Sequence, residues 1–484
     1  MNESFAKKNY GSKKYLLKMT EHRQKILKSE QVKEIVPRLG EEFVLIENPN
    51  YIFSKFDICP LAPKIVEKRD RIVAVVQDMD GTTTTTETLC LHSLEMMVRH
   101  FTGRHSREQW DGLDRIRDYP HIIGNSTTKH VEYLIKSYQK DANPESFRRA
   151  YLRAAVITMA FGRDKGRKRE VLSNLKNFQV AELLSENEVL KWQKTVDGTH
   201  EIHLPGEVEK LLDRYAKKLE LSSFTDQVRA AIDIYYQRYH EILFYIEHGK
   251  SEILRSILPE DDRNLIEPMS GVAVFLSTVK GWLGEELDRF FDEFYRILVV
   301  NPNEEKSSLI LSEEKLKAIG RYFEENPIKV AIVTSSIAYE ARIVLTQLFK
   351  VIQKQIASWK ISDNRKKLLI DRFQSYRNVF DVVVTASDSS EIRLKPHRDL
   401  YSLALHQLGI AKEDFDKVIG FEDSESGTIA IRAAGIGLCV AVPFSDTQGH
   451  RLDYASYVLP GGIPEAMIKH EFFLTEKTLS KYQI

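Results

Sequence analysis

The chain has 484 residues, 42% of them apolar and 29% charged, and its 70 basic side chains balance 70 acidic ones. That length leaves room for about three domains, and the balanced charge excludes a global field for nucleic acid or an anionic membrane surface. Three widely spaced cysteines, Cys59, Cys90 and Cys439, exclude a disulfide framework and a thiolate zinc site. With no apolar leader segment and no run long enough to span a bilayer, a soluble cytoplasmic protein is expected.

Taken in chain order, residues 1–70 read as an extension of mixed pattern. The first strand is the β-branched run Ile72-Val73-Ala74-Val75-Val76, which leads straight into QDMDGTTTTTETLC at 77–90. Helical periodicity then takes over: Leu91, Leu94, Met97, Val98 and Phe101 share one face, and so do Val131, Leu134, Ile135 and Tyr138. Most of 91–311 carries this pattern. Short apolar runs return at Val330-Ala331-Ile332-Val333, Val382-Val383-Val384, Val418-Ile419-Gly420-Phe421 and Leu438-Cys439-Val440-Ala441-Val442. Continuous hydrophobicity of this kind marks strands buried on both faces, as in a parallel sheet. Helical patterns separate the late runs, for instance Leu400, Leu403, Ala404 and Leu408. The expectation is an α/β, doubly wound (Rossmann-like) parallel sheet built from 71–90 and 312–484, with a large helical insertion at 91–311.

Ligands of an open parallel sheet bind beyond the carboxyl ends of its strands. The polar residues found there are Asp78, Asp80, Gly81 and Thr82 after the first run, and Thr334, Ser335 and Ser336 after the second. Lys395 lies beyond the third, and Glu422, Asp423 and Ser424 follow the fourth. Asp78, Glu422 and Asp423 can gather three carboxylates around one hard cation such as Mg2+, which takes oxygen ligands and keeps positions open for phosphate. A carboxylate that attacks a phosphoryl group needs such a cation, together with a lysine and hydroxyls for the phosphate oxygens. Asp80, two residues on, can give a proton to the leaving oxygen and later take one from water. The alternative is that these Ser, Thr and Asp residues cap helices.

In DMDGT at 78–82, VAIVTSS at 330–336, LKPHRDLYSLALHQLG at 394–409 and GFEDSESGTIAIRAAGI at 420–436, the sequence resembles the haloacid dehalogenase superfamily of phosphohydrolases. Within it, the β-phosphoglucomutase and phosphoglycolate-phosphatase branch is the most similar. The resemblance implies that Asp78 is the nucleophile and Asp80 the acid/base. It implies that Thr334 and Lys395 hold the phosphate, assisted by the Ser335 backbone amide, with Gly81 and Thr82 in the same phosphate-binding set. It also implies that Mg2+ is bound by Asp78, Glu422, Asp423 and the Asp80 carbonyl. A core ordered 5-4-1-2-3, with a cap inserted after the first motif, is implied as well.

The resulting expectation is a Mg2+-dependent phosphatase acting on a small phosphorylated metabolite. A phosphosugar mutase is the alternative, and a phosphate-sensing scaffold a third. In IIGNSTTKHVEYLI at 122–135, Thr127 stands where β-phosphoglucomutases have an arginine for a second phosphate, which favours hydrolysis; Lys129 or His130 is a substitute, although His130 reads as an exposed helix residue. The additions to the cap are read either as a lid or as an oligomerisation surface. Thr83–Thr86 read as architecture in the ribbon that leads to the cap.

Overall fold

The computed structural model describes residues 27–48, 52–258, 265–299, 312–390, 393–444 and 450–483. A hairpin of β1 (Glu42–Glu47) and β2 (Phe56–Leu61) precedes the central sheet. The sheet contains β3 (Ala74–Asp78), β4 (Lys329–Val333), β5 (Val382–Val384), β6 (Val418–Glu422), β7 (Leu438–Ala441) and β8 (Tyr457–Val458) in the order β5-β4-β3-β6-β7-β8. Every pairing in it is parallel. The first five strands stand in the order that the resemblance implies, and β8 extends one edge.

Alternation along the strands explains why both faces must be covered. Val75, Ile332, Ile419 and Phe421 enter one apolar cluster, and Ala74, Val76, Val333, Val418 and Cys439 enter another. A strand with no polar face cannot lie against water, so helices stack on each side.

The expected helical insertion is present as α1 (Glu87–Thr102), α2 (Thr127–Ser137), α3 (Pro144–Phe161), α4 (Lys165–Asn177) and α5 (Phe224–Glu247). Their buried apolar stripes pack on one another, with α5 against α1, α2 and α3. Its far boundary differs from the expected 311. The chain pairs back on its own exit at Thr84 and Pro268. The Thr85 amide donates to the Glu267 carbonyl at 3.0 Å, and the Met269 amide to the Thr83 carbonyl at 3.0 Å. Beyond this ribbon, α6 (Val272–Val279) is buried along its whole length. Its Phe275 ring meets Phe421 of the sheet edge-on at 5.4 Å and stacks on Phe472 at 5.6 Å. α6 therefore belongs to the layer that covers the sheet, together with α7 (Glu313–Glu325), against which it packs. The second half of the chain supplies α8 (Ala338–Ser358) after β4, α9 (Asp399–Gln407) before β6, and α10 (Glu425–Ala433) after β6.

The hairpin is an element that the mixed pattern of 1–70 did not reveal. Val44, Ile46 and Leu61 pack on Ile429 and Ala433 of α10. Among the described residues no helix is long and apolar enough to cross a membrane.

Phe275 is 1% exposed between two rings from different parts of the chain. Phe275→Ala is expected to destabilise the core by about 3–5 kcal/mol, read as a lower denaturant midpoint at unchanged slope.

Candidate active site

Four strands deliver their carboxyl ends to one place. Asp78 and Glu422 are the last residues of β3 and β6, Thr334 follows β4 directly, and Lys395 sits on the long connection after β5. The Lys395 ammonium is buried in contact with Asp78, and it donates to Glu422 Oε1 at 2.6 Å and to the Val333 carbonyl at 3.2 Å. The second oxygen of Glu422 accepts from the amides of Asp423 and Ser424, both at 3.0 Å, and from Ser424 Oγ at 2.8 Å. The Tyr401 hydroxyl lies 3.3 Å from Glu422 Oε1. Asp423 Oδ1 accepts from Thr82 Oγ1 at 2.9 Å, whereas Asp423 Oδ2 is buried with no partner.

One oxygen from each of Asp78, Glu422 and Asp423 lies within 4.8 Å of the others. Burial drives the Asp78 and Asp423 carboxyls well above the ordinary range, and the neighbouring carboxylates push the same way. Burial also opposes the charge on Lys395, but Asp78 and Glu422 outweigh it and the ammonium is held protonated. Three buried carboxyl groups thus share one ammonium, and one of their oxygens is orphaned. An all-oxygen donor set of this kind fits Mg2+.

Asp80 is held apart from that cluster. Its Oδ2 accepts from Thr334 Oγ1 at 3.2 Å and from Ser336 Oγ at 3.1 Å, and its Oδ1 accepts from Thr86 Oγ1. Burial raises its carboxyl, against the pull of the Thr86 and Ser336 hydroxyls. Gly81 turns the chain directly after Asp80 at φ +79°, where a Cβ would stand 2.5 Å from Asp423 Oδ2.

All nine site residues named from the sequence lie in or beside this cluster, but their contacts divide the work differently. The Thr82 hydroxyl is directed at Asp423 and the Thr334 hydroxyl at Asp80. Ser335 Oγ is buried and unpartnered. Ser336 and Ser424 were singled out by their place beyond the strands but given no role, and Thr86 and Tyr401, which stand inside quoted stretches, were not singled out for the site. Ser424 also fulfils the capping alternative, since its Oγ accepts from the Gly427 amide at 3.2 Å at the start of α10.

The threonine run resolves residue by residue. Thr83 Oγ1 accepts from Gln77 Nε2 at 2.9 Å and donates to the Asp78 carbonyl. Thr85 Oγ1 accepts from the Glu267 amide at 3.1 Å. Thr84 Oγ1 lies 2.6 Å from Thr86 Oγ1, so the run ends on Asp80. The loop after Ile123 also reaches the site: Ser426 Oγ donates to the Gly124 carbonyl, and a Cβ on Gly124 would overlap Ser424. His130 departs from its expected exposure. Both ring nitrogens are buried, and burial lowers the imidazole to about 4 against the pull of the Asn125 backbone.

No protein-family model matches the chain, and no curated protein matches it. Solved structures are similar to it. CbbY from Rhodobacter sphaeroides in complex with phosphate is 13% identical, over 82% of this chain and 96% of that one, with a TM-score of 0.35. β-Phosphoglucomutase from Clostridium difficile is 13% identical over 85% and 98%, with a TM-score of 0.29.

A Cβ added at Gly427 would overlap the Glu422 carboxylate. Gly427→Ala is therefore expected to displace that group and weaken Mg2+ binding about tenfold or more, a change calorimetric titration would read.

Proposed function

We propose that the protein hydrolyses a phosphate monoester through an aspartyl-phosphate intermediate. The observation that carries this is the division of two aspartates one residue apart, Asp78 against an ammonium and Asp80 within a ring of hydroxyls. An oxygen of Asp78 attacks phosphorus while the ester oxygen departs. Asp80, whose carboxyl burial has raised, protonates that oxygen. Water then attacks the aspartyl phosphate, and Asp80, now ionised, takes its proton. Lys395 offsets the charge of nucleophile and phosphate together.

Asp78 and Asp423 would hold Mg2+, with the Glu422 charge behind them. Bound there, the ion would screen the approach of anion to anion and polarise the phosphoryl oxygens. Five donors occupy the two Glu422 oxygens. That residue chiefly orients Lys395 and the loop at Asp423.

The hydrolytic reading is preferred to phosphosugar interconversion because Thr127 replaces the expected arginine. Its hydroxyl is engaged by the Tyr236 hydroxyl at 3.1 Å.

With Mg2+ and 4-nitrophenyl phosphate the wild type is expected to release phosphate, and Asp78→Asn to lower the rate about 10³-fold or more. Retained activity in that variant would exclude the covalent mechanism. Asp80→Asn should cost an alkyl phosphate about 10²–10⁴-fold, and 4-nitrophenyl phosphate less, because nitrophenolate leaves without a proton. The protonated form of Asp80 persists above the ordinary carboxylate range and is lost as pH rises through the raised value. The kcat/KM profile for an alkyl phosphate should therefore fall with rising pH, and the variant should lack that limb.

A further inference from the structure

We infer that the leaving group of the substrate is a nucleoside, so that the ester is a nucleoside phosphate; this rests on the hydrolase reading above. A cavity of about 620 Å³ lies between the helical insertion and the core. Its floor includes Ser335 and Leu394. Each is the immediate neighbour of a residue that touches an aspartate: Thr334 bonds Asp80 at 3.2 Å, and Lys395 contacts Asp78. The cavity therefore adjoins the two loops that carry Thr334 and Lys395, on the side open to an ester oxygen departing from phosphorus.

Size is the first constraint. The cavity falls in the range of about 300–1,000 Å³ in which pockets enclose drug-sized ligands. A two-carbon or single-sugar leaving group would leave most of it to solvent.

Chemistry is the second constraint. Phe224, Val228 and Ile232 recur every fourth residue along α5 and present an apolar strip to the cavity, with Ile337 and Leu394 also on its lining. Phe224 is 37% exposed, so a ring face is open to stacking. Arg229 lines the cavity too and, among the described residues, has no ion-pair partner. Aromatic rings and guanidinium planes stack on nucleobases of any sequence. The amide side chain of Asn177 on α4 belongs to the same lining, and amides read base edges. The buried Ser335 hydroxyl, unpartnered at the floor, suits a ribose hydroxyl.

The wall that bears these groups is braced. Arg167 of α4 donates to Asp233 of α5 at 2.6 Å, and Asn174 Nδ2 to the same carboxylate at 2.8 Å. Burial pushes the Asp233 carboxyl up to about 6 against the pull of Arg167. The two helices are thus locked together behind the cavity, and its width is set before any ligand arrives.

The test reads binding on full-length Asp78→Asn protein with Mg2+, comparing dissociation constants for adenosine 5′-monophosphate and ribose 5-phosphate by calorimetry. The nucleotide is expected to bind about tenfold or more tighter, the contribution of one stacked base. Phe224→Ala, a change at an exposed position, should bring the two constants together. Equal constants for the two esters in the Asp78→Asn protein, or a ratio that Phe224→Ala leaves untouched, would overturn the inference. Phosphate release from 4-nitrophenyl phosphate by the wild type tests the hydrolase reading separately. A preserved nucleotide preference with no release would reject the hydrolase and keep the nucleoside site.

Discussion

One ammonium buried among carboxylates is the constraint on which the site depends. Lys395 is 4% exposed, Asp78 6% and Glu422 0%. Charges taken so far from water cost several kcal/mol each unless paired and fully hydrogen-bonded. The structure meets that requirement by aligning strand ends. Asp78 comes from β3, Glu422 from β6, and the carbonyl that takes the third Lys395 contact from Val333 at the end of β4. The register pairs Asp78 with Val333 directly, so a slip between β3 and β4 would part Asp78 from that carbonyl. The parallel sheet is therefore more than a scaffold. Its register holds the cluster together, and one oxygen of Asp423 is left there without a hydrogen-bond partner.

The same economy of contacts ties the helical insertion to the chemistry. The strand leading into the insertion lies within a few residues of Asp80, the returning strand bonds it at Thr83 and Thr85, and Thr86, the last residue before α1, bonds the Asp80 carboxylate. Movement of the insertion about this ribbon would alter the hydroxyls around Asp80. α5 adds a second tie, since His240 Nε2 lies 2.8 Å from Glu340 of α8 and Arg342 of α8 donates to Glu247 at 2.6 Å. Glu340 Oε2 in turn accepts from the Ile337 amide in the loop that carries Thr334 and Ser336. Insertion and core therefore meet through polar pairs that end in the loop carrying Thr334 and Ser336.

Legibility in the sequence followed the range of the interactions. The five core strands were visible because each is an uninterrupted apolar run, and double-sided burial leaves that mark on neighbouring residues. Asp78, Asp80, Thr334, Glu422 and Asp423 were visible because each stands within four residues of the end of such a run. β8 is two residues long and β2 carries Pro60, so neither gives a periodic signal. The return of the insertion at Glu267–Met269 is a three-residue ribbon with a proline in it, bonded to threonines some 180 positions earlier. No local pattern encodes that pairing. The cavity was illegible for the same reason, since α2, α4, α5 and two core loops build it from positions far apart in the chain. For the threonine run, composition indicated turn and extended geometry but not which hydroxyl would face a carboxylate.

The hairpin before the core shows how an extension outside every motif can still act on the site. Arg432, 1% exposed on α10, donates to the Ala62 carbonyl at 2.6 and 2.9 Å and to the Tyr454 carbonyl at 3.1 Å, and it contacts Glu42. The helix that bears this arginine starts at the Ser424 cap, so its axis sets the position of the Glu422–Asp423–Ser424 turn. A buried guanidinium needs most of its donors satisfied, and the acceptors for Arg432 come from the hairpin, the residue after it and a late loop. Removing that set of acceptors would leave the arginine to move, and α10 with it. The carboxylates at the start of α10 are thus placed from two directions, by the sheet beneath them and by the hairpin packed against the far end of their helix.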